Sequence, residues 1–269
     1  MKWIPPGPAF LFCPADRPER FAKAAAAADV VIVDLEDGVA PDQRAAAREN
    51  IQRATLDPAT TIVRVNPVHS REHELDLAML HTSPFRMIML AKASSAQEIL
   101  SLDSFSVIAL CETPRGVVAA EDMARCANTL GLMWGAEDLV AALGGYSSRH
   151  EDGTYRDVAR HARASVLTAA GANDRCALDA VFLDFADLDG QRREALDAAA
   201  MGFSATVCVH PSQVAIVRAA YQPTPAQVSW ARDVLGEAAR HDGVFRVGGL
   251  MVDEPVLAQA RAIISRANL

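Results

Sequence analysis

Two carboxylates, Glu112 and Asp138, follow short apolar runs at residues 107–110 and 130–134. If both runs are strands that finish at the same rim, the two acids could share a divalent cation. Mg2+ suits such a pair: it takes oxygen ligands in near-octahedral geometry, keeps several waters, and is commonly held by one or two carboxylates plus substrate oxygens. The alternative is that each acid caps the helix that follows. Asp34, Glu36 and Asp37 crowd the end of another apolar run, where their mutual repulsion demands a cation, backbone donors or a proton. Asp37 also reads as a cap for the turn before Pro41, which leaves Glu36 as the better site candidate.

Arg64 interrupts the apolar segment Val63-Arg64-Val65, where a buried guanidinium requires an anion. A substrate carboxylate or thioester oxygen fits its planar donor fork, and so does a structural salt bridge to an acid such as Glu36. Lys92 ends a further run and could form a Schiff base, although nothing in its flanks signals a depressed pKa. Arg17, Arg20 and Lys23 cluster where the first run turns into its helix. They could bind the phosphates of a nucleotide-like cofactor or form an exposed charged face. His210 reads as a buried, hydrogen-bonded histidine rather than a general base, and His69 with His73 lacks a third ligand for zinc.

The elements that must position these residues repeat along the chain. Strand-like runs at residues 9–14, 30–35, 61–65, 87–90, 107–110, 130–134, 181–183 and 206–209 end near Cys13, Asp34 and Glu36, Arg64 and Asn66, Lys92, Glu112, Glu137 and Asp138, Asp184 and His210. Helical patterns are expected at 42–53, 72–80, 96–100, 116–125, 155–170, 191–200 and 212–220. Eight strand–helix repeats are what a (β/α)8 TIM barrel requires, and such barrels carry their chemistry at the C-terminal strand ends. Residues 144–157, rich in glycine, serine and aspartate, read as a long polar loop of the kind that serves as a lid or lacks order. After Tyr221 the repeat stops at Pro223-Thr224-Pro225. The expected division is therefore a barrel over residues 1–221 and a helical extension over 222–269, with helices near 226–240 and 255–267 around a glycine-containing segment at 243–249.

The length of 269 residues suits one such barrel with an extension. A net charge of −8 argues against broad contact with nucleic acid or an anionic membrane, because phosphate neutralisation needs a basic face. Five scattered cysteines without a CxxC pair point to reduced thiols. The apolar stretch after Lys2 is broken by Pro5, Pro6, Gly7 and Pro8 and makes a poor signal peptide, so a cytoplasmic location is expected.

The chain resembles the citrate lyase β-subunit-like branch of the HpcH/HpaI aldolase superfamily. The segments that carry the resemblance begin with Phe12-Cys13-Pro14-Ala15-Asp16-Arg17-Pro18-Glu19-Arg20-Phe21 and Asp34-Leu35-Glu36-Asp37-Gly38-Val39-Ala40-Pro41. They continue through Val63-Arg64-Val65-Asn66, Cys111-Glu112-Thr113, Gly135-Ala136-Glu137-Asp138, Val209-His210-Pro211-Ser212-Gln213 and Met251-Val252-Asp253. Their order and spacing span nearly the whole chain. Ala91-Lys92 stands where relatives usually show Pro-Lys.

The resemblance implies a barrel, commonly a homotrimer, that makes or breaks a carbon–carbon bond beside a CoA-type thioester with Mg2+. It implies metal ligation by Glu112 and Asp138, substrate binding by Arg64, and organisation of that arginine by Glu36. It further implies contact of Arg17, Arg20 and Lys23 with the CoA chain, and proton transfer by Asp253 from a tail that closes over a neighbouring subunit's site. The expected activity is cleavage or formation of a 3-hydroxyacyl-CoA of the malyl-, citramalyl- or hydroxymethylglutaryl-CoA type. The rival readings are a citrate lyase β-subunit acting on a carrier-bound citryl thioester, a class I aldolase using Lys92, and a non-catalytic CoA-binding barrel.

Overall fold

The computed structural model describes residues 3–238, 240–241 and 243–267, so Lys2 lies outside the described residues. Eight parallel strands close a barrel in chain order: β1 (Ala9–Pro14), β2 (Val30–Asp34), β3 (Thr61–Val65), β4 (Met87–Leu90), β5 (Ser106–Cys111), β6 (Thr129–Trp134), β7 (Cys176–Asp179) and β8 (Ala205–Cys208), which pairs back to β1. This is the TIM barrel that the repeat pattern and the resemblance imply. β2 is buried along its whole length, as a Val-Val-Ile-Val run must be when helices cover one face and the barrel interior the other.

Side-chain parity places the mouth. Ile32 and Ile62 belong to the core that also holds Phe10, Met89, Ile108, Leu110, Met133 and Val207. Residues two positions further along a strand point the same way, so Asp34 follows Ile32 and Arg64 follows Ile62. Asp34 and Arg64 are direct register partners. The same step carries Leu110 to Glu112 and Met133 to Gly135, both just past their strand ends.

The outer helices are α1 (Phe21–Ala27), α2 (Arg44–Arg53), α3 (Arg71–His81), α4 (Ala96–Leu100), α5 (Pro114–Val118), α6 (Ala120–Arg125), α7 (Ala136–Ala142), α8 (Asp157–Ala172), α9 (Leu188–Met201) and α10 (Val214–Tyr221). Side-chain caps set several starts: Ser70 accepts the His73 N–H, Thr113 that of Gly116, and Asp187 that of Gly190.

Several expected elements are corrected. The seventh strand is Cys176–Asp179, not residues 181–183, so Asp184 is an exposed turn acid and the strand ends on Asp179. The run Cys-Ala-Leu has little β-propensity and Val-Phe-Leu has more, but backbone pairing to both β6 and β8 decides the matter. The expected helix at 116–125 is two helices that meet at Ala119. Glu137 and Asp138 lie in the first turn of α7, a helix that the sequence pattern does not separate from the strand before it. The loop between α7 and α8 is tied down rather than loose: Arg149 bridges to Tyr155, stacks over its ring at 3.8 Å and pairs with Glu194 on α9, while Ser148 donates to Glu137.

Contacts divide the chain into residues 1–217 and 218–269. The second unit contains α11 (Pro225–Ala238), a hairpin of β9 (Phe245–Val247) and β10 (Leu250–Val252), and α12 (Glu254–Ala267). Gly248 and Gly249 take φ of 56° and 86°, the positive values that a tight two-residue hairpin turn demands. Ala231, Val234, Phe245, Val252 and Ala260 form its core. No helix among the described residues is long and apolar enough to cross a membrane.

Beside the barrel, Asp179 accepts two hydrogen bonds from the Arg163 guanidinium at 2.9 and 2.8 Å and one from the Trp134 indole at 2.6 Å. Asp179→Ala would leave a largely buried guanidinium with the half-exposed Asp197 as its one carboxylate partner among the described residues. The expected cost is about 3 kcal/mol, read as a lower urea midpoint; an unchanged midpoint would show that the pair contributes no net stability.

Candidate active site at the C-terminal mouth of the barrel

Arg64 reaches across from β3 to grip Asp34 with Nε and Nη2, each 2.6 Å from a carboxylate oxygen, and its Nη1 lies 3.3 Å from Glu36 Oε2. Asp34 also accepts the backbone N–H groups of Glu36 and Gly38 at 2.9 Å each. Four donors saturate this carboxylate. A Cβ on Gly38 would stand 2.3 Å from Asp34 Oδ2, so the glycine is what lets the turn wrap this closely. Burial works against the Arg64 charge, but the hydrogen bonds and charge of Asp34, with help from Glu36, outweigh it and hold the guanidinium more firmly protonated than usual. The ring of Phe12 lies beneath the guanidinium at 4.7 Å.

A polar scaffold behind β3 holds the turn in place. Asn66 donates to the Leu35 carbonyl at 3.0 Å and to Asp76 at 2.8 Å, its N–H also meets Asp76, and its carbonyl faces His73 Nδ1 at 2.8 Å. Asp76, wholly buried on α3, is bound in turn by Arg48. Burial nevertheless pushes its carboxyl above the usual range.

Lys92 joins the two acidic groups. Its backbone N–H donates to Glu112 Oε1 at 2.9 Å, and its ammonium bonds Glu36, meets Asp37 at 3.0 Å and lies 3.6 Å from Asp138. Burial disfavours that charge, yet Glu36 and Asp37 more than compensate and keep the amine protonated. A class I aldolase needs a neutral amine, so this geometry opposes the Schiff-base reading. Burial pushes Glu36 up against the pull of Arg64 and Lys92, whereas Lys92 draws Asp37 down despite partial burial.

Glu112 is the exception among the buried charges of the mouth. Burial first, and the charge of Asp138 second, push its carboxyl up to about 8 against the opposing pull of Arg64 and Lys92. Among the described residues its Oε2 has no hydrogen-bond donor. Gly135 approaches so closely that a Cβ there would meet that oxygen at 3.1 Å and the Glu112 Cβ at 2.8 Å. Asp138, from the first turn of α7, is partly exposed. No group of three or more His, Cys, Asp or Glu side chains is arranged to hold a metal among the described residues. Two repelling carboxylates, one with an unengaged oxygen among the described residues, could hold a hard cation that keeps waters and takes further oxygens from a ligand.

The other sequence candidates lie in different places. Arg20 and Lys23 line a cleft of about 430 Å3 between the ends of β1 and β8, with Phe12, Cys13 and His210. Arg17 is not in that lining; it is exposed, 3.7 Å from Asp16. His210 is exposed, which corrects the expectation of a buried histidine. Its ring caps the 3-10 turn Pro211–Gln213 and stacks on Phe185 at 5.0 Å, because the strand ends at Cys208, two residues earlier. Asp253 belongs to the second unit, where its carboxylate accepts the Val256 N–H at 3.4 Å at the start of α12. A larger groove of about 1020 Å3 on the outer face of α4, α5 and α6 is lined by none of the charged residues of the mouth. Sequence reasoning missed the roles of Gly38 and Gly135, although each stands within a motif beside an acid.

The HpcH/HpaI aldolase/citrate lyase family matches residues 9–211. A citrate lyase subunit beta-like protein of Mycobacterium tuberculosis is 54% identical over 262 residues, covering 97% of this chain and 96% of its own. The mitochondrial citramalyl-CoA lyase of Mus musculus is 30% identical over 297 residues, covering 98% and 86%. The crystal structure of the M. tuberculosis protein CitE in complex with magnesium, acetoacetate and coenzyme A superimposes with a TM-score of 0.95 at 53% identity, covering 98% of both chains.

Gly38→Ala should force the Asp34 carboxylate off its donors and loosen the buried ion pair. A loss of about 1–3 kcal/mol in urea unfolding is expected. Wild-type stability would mean that the turn has room that the close approach denies.

Proposed function

We propose, from the premise that this chain belongs to the HpcH/HpaI aldolase/citrate lyase family, that it is a Mg2+-dependent lyase for a dicarboxylic 3-hydroxyacyl-CoA of the malyl-, citramalyl- or hydroxymethylglutaryl-CoA type. The family's members include carbon–carbon lyases, and the chain is an enzyme of that kind. The observation that carries the finer reading is that Glu112 lies in the fields of both Asp138 and Arg64, with Lys92 contacting Glu112 and Asp138 alike. The magnesium, acetoacetate and coenzyme A bound by the M. tuberculosis protein support it.

Glu112 and Asp138 would hold the cation. Bound there, Mg2+ would orient substrate oxygens and offset the negative charge that develops on them. Arg64 keeps N–H donors on Nη1 and Nη2 beyond the two given to Asp34, and these fix a carboxylate or thioester oxygen without reorganisation. Glu36 and Asp34 hold that fork in its orientation. The substrate hydroxyl gives its proton to a base at the mouth and becomes the carbonyl of the departing oxo acid. The electron pair of the broken carbon–carbon bond passes to the thioester enolate, whose carbon takes a proton from Asp253. Arg20 and Lys23, with Arg17 nearby in sequence, meet the phosphates of CoA. The assembly expected from the resemblance, a homotrimer whose tail supplies Asp253 to a neighbouring site, is part of this reading.

The test is a mass-spectrometric screen of 3-hydroxyacyl-CoA esters with Mg2+ and with EDTA. One ester should yield an acyl-CoA and an oxo acid only with Mg2+. Glu112→Ala and Asp138→Ala should each lower kcat by about a thousandfold or more with circular dichroism unchanged; full activity in either variant rejects the metal assignment.

Cation binding should also depend on pH. Mg2+ requires the Glu112 carboxylate, whose proton in the free protein leaves at about 8. The apparent affinity should therefore weaken by about tenfold per pH unit below that value and level off above it. Calorimetry between pH 6 and 9 measures this, and a flat profile would contradict it.

A further inference from the structure

Among the described residues Lys92 alone touches both acidic groups of the mouth, and it does so from a backbone conformation that a side chain disfavours, with φ of 53°. Such outliers persist only where the surroundings enforce them. Here the left-handed turn directs the main-chain N–H to Glu112 Oε1 and the ammonium to Glu36, Asp37 and Asp138. The two halves of the residue thus act on the two acids assigned to the cation in opposite senses. The neutral N–H fixes one oxygen of Glu112 and leaves the other, beside Gly135, for a ligand. The ammonium occupies the field of Asp138, within ion-pair distance of the same carboxylate that the cation needs.

We propose that Lys92 is a positioning residue that sets the cation affinity of the mouth. Its N–H presents Glu112, and its ammonium is a resident counter-charge that Mg2+ must displace from Asp138 or share with it. Binding of the ion alone is thereby kept weak until substrate oxygens complete the ligand set. This rests on the reading of Glu112 and Asp138 as metal ligands, but not on which thioester is cleaved.

The experiment is isothermal calorimetry of Mg2+ binding to the full chain without substrate, for wild type, Lys92→Met, Lys92→Gln and Lys92→Arg, with thermal melts to confirm folding. The two neutral variants retain the backbone N–H and lose the charge. A unit charge about 4–6 Å from the ion in a partly exposed site predicts a dissociation constant lower by about tenfold or more, with the arginine variant within about threefold of wild type. A merely structural role would weaken binding instead. Folded neutral variants that bind Mg2+ no more tightly than a binding wild type overturn the assignment of Lys92 and leave the lyase reading standing. A wild type that binds no Mg2+, with or without substrate, overturns the metal reading and this inference together.

Discussion

The pairing of Arg64 with Asp34 is the constraint on which the mouth depends. A guanidinium that points into the top of an apolar barrel is costly unless a carboxylate meets it in bidentate geometry. Register supplies that carboxylate: β2 and β3 place the two residues as direct partners above Ile32 and Ile62. Once made, the pair removes Asp34 from the chemistry, because all its hydrogen-bonding capacity is committed to Arg64 and to the turn at Gly38. The other acids at the mouth are Glu36, Asp37, Glu112 and Asp138.

Those acids are held in graded electrostatic states. Glu36 is countered by Arg64 and Lys92, and Asp37 by Lys92. Glu112 is buried in the field of Asp138, has only a backbone N–H as donor among the described residues, and is raised to about 8. A buried carboxyl that Arg64 and Lys92 only partly compensate is a natural place for an added cation, which would relieve both its desolvation and its repulsion by Asp138. Behind the site, Asn66, Asp76, His73 and Arg48 tie the turn after β2 to α3, so the positions of the charges are backed by hydrogen bonds to the main chain and not by side-chain packing alone.

Much of this was legible along the chain. Alternation in β2, β3 and β5 puts Asp34, Arg64 and Glu112 on the face of the core residues two positions before them, and that parity is written in the order of residues. The motif glycines were visible too, but what each one approaches was not. β7 shows the limit. Val181-Phe182-Leu183 has the more strand-like composition, while Cys176–Asp179 forms the strand because β6 and β8 offer it backbone partners. His210 illustrates the same limit, since ending β8 at Cys208 turns a residue read as buried into an exposed cap stacked on Phe185.

Residue order alone sets the barrel, the rim at which charged residues collect and the chemical types present there, because these follow from periodicity and from what side chains can do. Which charges neutralise one another is settled by folding in three dimensions. That Asp34 is consumed by Arg64, that Lys92 stays protonated between the two acidic groups, and that Glu112 retains an unengaged oxygen depend on distances of a few ångströms between strands far apart in the chain. Electrostatic energy in a partly dry site changes steeply over that range, and residue order along the chain carries no record of it.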